Sequence, residues 1–150
     1  MTSIRVSAIA AALTLAFAGP LFAADNMSKD QVKAEKERIA ADAKAAKEKC
    51  KDLKGNAKDI CMAEAKGQEK VAKAELEAKQ KDTPKARYNV AVAKADAEYG
   101  VAKEKCDDMK GKEKNACEKD AKAAHKQAKD AAKAERDSSK EKTASTKEAK

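Results

Sequence analysis

The residues best placed to do chemistry in this sequence are its four cysteines. They come as two pairs with one spacing, Cys50 with Cys61 and Cys106 with Cys117, ten residues lying between the members of each pair. Two chemistries suit such a set. Thiolates could bind a metal, and four sulfurs brought to one end of a helical bundle could form a Cys₄ site. The spacing lacks the short C-x₂₋₄-C knuckle of zinc sites, however. Alternatively the cysteines form disulfides, for which four residues allow three pairings.

No other constellation suggests a reaction. His125 is the sole histidine. The internal repeat described below places Glu69 at the equivalent position, and exchange with a charged residue predicts an exposed helix site rather than a ligand or base. The many Asp and Glu residues alternate with Lys and read as solvated helix faces carrying weak ion pairs. The sequence offers no nucleophile motif, no Gly-rich phosphate loop and no carboxylate pair set among apolar residues. The expectation is therefore a non-enzyme without catalytic, cofactor-binding or metal-binding residues.

The N-terminus sets the compartment. Arg5 precedes an apolar stretch over residues 6–18, Gly19-Pro20 breaks it, and Leu21-Phe22-Ala23 ends in a small residue. This pattern predicts an export signal over 1–23, cut after Ala23 or Ala24. An uncleaved anchor is the competing reading, but the internal Pro and the short apolar core favour cleavage. The expected location is the periplasm, with no stable membrane insertion once the signal is gone. In an oxidising compartment four cysteines are first a disulfide framework.

Beyond residue 23 the chain keeps 33 basic and 26 acidic side chains, a formal charge of +7. Both Phe residues lie in the signal and Trp is absent, so Tyr88 and Tyr99 are the only aromatics of the remainder. Large aliphatics are scarce, and most of the apolar content is Ala. Leu, Ile, Val and Phe fall below the roughly 20% that marks disorder-prone chains. Such a chain cannot fill a globular core, because each buried CH₂ contributes only about 0.8 kcal/mol. It either stays disordered or forms long thin helices packed through Ala. Ala, Lys, Glu and Gln are strong helix formers, so helix is favoured if the apolar residues keep a helical period.

They do. Tyr88, Val92, Ala95, Tyr99, Ala102, Cys106 and Met109 follow alternating spacings of four and three, the heptad seam of a coiled coil. Fifty-six residues earlier lie Val32, Lys36, Ile39, Ala43, Ala46, Cys50 and Leu53, one charge interrupting the same register. Ten of sixteen positions match between residues 46–61 and 102–117, the paired Cys and Gly among them. The chain is an internal duplication.

Each Cys pair straddles a glycine, Gly55 or Gly111, suited to the positive φ that follows a helix end. Asn56 reads as the N-cap of the next helix. Two cysteines equidistant from a tight turn face one another across a helical hairpin. On one continuous helix they would lie about 16 Å apart, beyond disulfide reach. The repeat therefore favours Cys50–Cys61 with Cys106–Cys117. Ser28 with Gln31 predicts a capping box, and Thr83-Pro84 a fresh helix start. The expected fold is all-α: two tandem disulfide-stapled helical hairpins in a thin, Ala-rich, coiled-coil-like four-helix arrangement. Helices are expected over 29–54, 56–82, 84–110 and 113–136, in an up-down-up-down bundle, either compact or loose and elongated, with both stapled turns at one end. The units are 24–83 and 84–136, followed by a flexible polar tail over 137–150 where periodicity is lost.

The run from Cys50 to Cys61 (CKDLKGNAKDIC), with Glu64-Ala65-Lys66 and the segment from Ala72 to Ala78, resembles a family of small proteobacterial exported proteins. These are rich in Lys and Ala and often labelled TolA-like or cell-envelope biogenesis proteins. The resemblance covers most of the chain beyond the signal and implies a helical envelope protein. A link between two membranes is not implied, since only the Lys/Ala-rich helical character is shared. The function expected is a non-enzymatic periplasmic protein, an envelope-associated structural, interaction or stress-protective factor. The alternative is a metal- or redox-responsive binding module using the four Cys. The basic charge points to anionic cell-envelope components or envelope proteins as partners. Export, interspersed acids and the lack of stacking aromatics point away from nucleic acid.

Overall fold

A computed structural model of the chain describes residues 27–148; the expected signal over 1–23 and its cleavage point lie outside the described residues. Four helices follow one another: α1 (Lys29–Lys49), α2 (Gly55–Gln80), α3 (Pro84–Cys106) and α4 (Gly111–Glu148). The described residues contain no strand.

Local chemistry sets the helix starts. Ser28 Oγ accepts from the Gln31 amide at 3.2 Å, and Gln31 Oε1 accepts from the Ser28 amide at 2.8 Å, closing the capping box of α1. Thr83 Oγ1 accepts from the Ala86 amide at 3.1 Å, with Pro84 opening α3 where its missing N–H costs nothing.

The hairpin turns differ from expectation. α1 stops at Lys49, tightens into one 3₁₀ turn over Cys50–Asp52, and is extended at Leu53 and Lys54. The chain has thus left the helix before reaching the glycine. Gly55 (φ 58°) and Gly111 (φ 57°) serve the entry to α2 and α4, not the exit from the helix before. Asn56 caps nothing on its own helix; its Nδ2 donates to the Glu104 carbonyl near the end of α3, at 2.7 Å. That bond also places the two stapled turns at the same end of the molecule.

Both disulfides form as the repeat predicts, Cys50–Cys61 and Cys106–Cys117, each with Cα atoms 5.6 Å apart. Among the described residues, Cys50 and Cys106 are the largest side chains that are fully buried. The rest of the core is thin: Ile39, Ala43, Ala65, Leu76, Ala86, Ala95 and Ala132. The heptad seam holds at Ile39, Ala43, Cys50, Ala95 and Cys106. It fails at Leu53 and Met109, which are 40% and 42% exposed because their helices end before reaching them.

The up-down order is as expected, and of the compact and loose arrangements the structure has the loose one, a bundle that does not close. Each helix packs only on its chain neighbours: α1 on α2, α2 on α3, α3 on α4. The four helices form an open layer, with solvent on both sides of the α2–α3 pair. α4 also runs past Arg136 to Glu148, where the sequence suggested a polar tail. Lost apolar periodicity reports lost burial, not lost helix, and Lys, Glu and Ala keep the backbone helical. Ser138 fits by donating its hydroxyl to the Glu135 carbonyl at 3.0 Å.

Candidate functional site

All four cysteine sulfurs are consumed in the two disulfides, so the stapled end presents no thiolate. Among the described residues no group of three His, Cys, Asp or Glu side chains converges so that it could hold a metal ion. Each staple closes a short loop, for which the chain-entropy model gives roughly 3 kcal/mol. In a layer whose core is mostly alanine, that is a large share of the stability.

His125 is not the exposed position expected. Its side chain is 22% exposed and wedged between α3 and α4. Its ring stacks on Tyr99 with centroids 4.7 Å apart and planes 14° from parallel. Its Nε2 lies 2.6 Å from Asp96 Oδ1, and Lys129 Nζ stands 3.8 Å from the same oxygen. The Glu69 of the first repeat does the same work with different chemistry. It bridges Lys47 of α1 and Lys73 of its own helix, both at 2.6 Å. The hydrogen bond from Lys47, followed by that from Lys73, holds the Glu69 carboxyl down to about 2. The exchange of Glu for His therefore marks a repeated position where one helix is tied to the preceding one. The 56-residue repeat carries that signal, but a charged residue at one copy does not by itself imply exposure at the other.

A groove of about 570 Å³ lies between α2 and α3. Val71, Ala97 and Val101 are part of its lining, with Glu64, Glu75, Glu98, Lys94 and Lys105 around them. Lys94 reaches Glu75 across it at 3.0 Å. A smaller groove of about 290 Å³ lies on the other side of the same helix pair, against Met62, Lys66, Lys70, Asp96 and Gly100. Catalysis asks for polar groups converging in a partly dry cavity. These grooves are shallow channels between two helices, and their ionic groups are at the wet margin. Arg136, over the Tyr88 ring at 4.7 Å, fastens the far end of the α3–α4 pair.

The architecture defines a class, a disulfide-stapled helical-hairpin repeat. No family profile, curated protein or solved structure matches the chain.

Proposed function

We propose that this chain is a non-enzymatic, exported helical protein of the cell envelope, acting in the periplasm as a structural, interaction or stress-protective factor. The observation that carries the reading is the stapled, open layer: two hairpins closed by disulfides and offering surface rather than an enclosed site. Disulfides at both turns suit an oxidising compartment. No helix among the described residues is long and apolar enough to cross a membrane. The basic N-terminal signal pattern supplies the route, and the excess of lysine supplies a reason to associate with anionic envelope components.

Fractionation of cells producing the native chain tests this. The expected outcome is a periplasmic species beginning at Ala24 or Asp25, oxidised at all four cysteines, that crosslinks in intact cells to envelope material. A full-length, reduced species confined to the cytoplasm would overturn the reading. A full-length species held in the inner membrane would replace the cleaved signal by an anchor.

A further inference from the structure

Cross-helix contacts identify which residues share a side of the open layer. Lys47 meets Glu69, so these mark one side across α1 and α2. Lys66 and Lys70 share a groove with Asp96, which extends that side to α3. Asp96 in turn receives His125 and Lys129, which extends it to α4. Helical periodicity then gathers the other lysines. On α1, Lys29, Lys33, Lys36, Lys44 and Lys47 recur at spacings of three, four or eight residues, the row of Lys47. On α4, Lys122, Lys126, Lys129, Lys133 and Lys140 fall in the row of Lys129. Lys66, Lys70 and Lys73 fill the middle. Several acids on this side already have a lysine partner: Glu69 has Lys47 and Lys73, Asp96 has Lys129, and Asp130 has Lys126. Glu37, Glu48, Asp59, Glu77, Glu118 and Asp137 also lie on or beside these rows, still fewer carboxylates than lysines.

The opposite side is mixed or acidic. Glu35 and Asp42 lock Arg38, Glu75 takes Lys94, and Glu113, Asp120 and Glu135 lie on that side of α4. The net positive charge is thus sorted onto one side of a layer one helix thick.

We infer that the lysine side is a docking face for an anionic membrane surface, its ammonium groups meeting lipid phosphates. The inference deepens the proposed envelope role by naming face and partner. The α1 row, Lys29 to Lys47, is about 27 Å long, and the α1 and α4 rows stand about as far apart, three interhelix spacings. Charge spread over an area matches a planar array of phosphates, whereas a single polyanionic strand follows one row. The face also lacks free aromatics for base stacking, since Tyr99 is covered by His125 and Tyr88 by Arg136. It has no apolar stripe to insert, so the layer adsorbs to the headgroups.

The test uses the oxidised protein and large vesicles. Binding to phosphatidylglycerol vesicles, absent on phosphatidylcholine and lost at high salt, is expected. Lys33, Lys36 and Lys44 are exposed and make no ion pair with any described residue. Changing all three to Gln should weaken binding about a hundredfold, at roughly fivefold per lysine. The same charge change on the other side, Lys49, Lys79 and Lys105 to Gln, should leave binding within about threefold of the native chain. Circular dichroism should report unchanged helix content in both. Equal losses in the two variants, or no loss in the first, would overturn the docking face. So would tighter binding of duplex DNA or a polyanionic glycan than of the vesicles. Failure on vesicles with a periplasmic, crosslinkable protein sinks this inference alone; vesicle binding by a cytoplasmic protein sinks the envelope reading alone.

Discussion

Gly67 and Gly100 lie on the two central helices, and replacing each by Ala should move stability in opposite directions. A Cβ built at Gly67 would stand 2.7 Å from the Ala97 Cβ and 3.2 Å from its Cα. Carbon atoms in contact prefer about 3.5–4.0 Å, and neither atom of Ala97 can rotate away. α2 and α3 would have to part locally by about 1 Å. Ala instead of Gly gains up to about 1 kcal/mol of helix propensity, and overpacking costs about 1–3 kcal/mol. The net for Gly67→Ala is a loss of about 0–2 kcal/mol. At Gly100 a Cβ meets nothing within 4 Å, so Gly100→Ala keeps the propensity gain of about 0.5–1 kcal/mol. Thermal unfolding followed by circular dichroism, with disulfides intact, reads the contrast at about 4 °C per kcal/mol for a chain this size. Gly67→Ala should melt below Gly100→Ala by several degrees, and adding Ala97→Gly should recover part of the difference. If both substitutions raise Tm equally, the close approach of α2 to α3 is wrong, and the two hairpins are not joined there.

Removing one staple with the pair Cys50→Ser and Cys61→Ser should destabilise the chain by about 3 kcal/mol, measured in urea; a change below about 0.5 kcal/mol would refute the thin-core argument. Gly55→Val or Gly111→Val, forced to φ near +58° or +57°, should each cost about 1–2 kcal/mol or more in the same assay. Glu69 has its carboxyl held below the ordinary 4.5 at about 2, so its contribution is present above about 4.5 and lost as pH falls through 2. The stability difference between the native chain and Glu69→Gln should therefore shrink across that window, and a constant difference would show that the Lys47–Glu69–Lys73 bridge is idle.

Much of this fold was legible because its determinants are local. Two cysteines around a glycine specify a staple whatever else happens, and Ser28, Gln31, Thr83 and Pro84 act within one turn of a helix end. The seam through Ile39 and Ala95 follows from periodicity alone. The misread features depend on what the residues meet. Leu53 keeps the seam's register yet is exposed, because backbone dihedrals at the turn end the helix first. His125 is charged-type by alignment yet half-buried, because Tyr99 and Asp96 on a neighbouring helix receive it. Periodicity says which face is covered, but a polar residue's burial is set by its partner.

The openness of the layer has the same kind of cause, and the repeat makes it traceable. The α2–α3 join uses small residues: Ala63 and Gly67 from one hairpin, Ala93, Ala97 and Gly100 from the other. A shift of 56 residues gives the same positions on the two outer helices. Ala63 becomes Lys119 and Gly67 becomes Ala123 on α4, while Ala93, Ala97 and Gly100 become Glu37, Ala41 and Lys44 on α1. All five outer positions are exposed. Rolling the layer into a closed bundle, or adding a third hairpin edge to edge, would press Glu37, Lys44 and Lys119 into an interface built for Ala and Gly. Burying a charge without an ideal partner costs several kcal/mol, more than an Ala-to-Ala contact returns. The duplication copied the hairpin but not the interface, and terminal charged faces of this kind cap a repeat stack. Both sides of the layer are thereby left in water, and one of them is free to carry the lysine face.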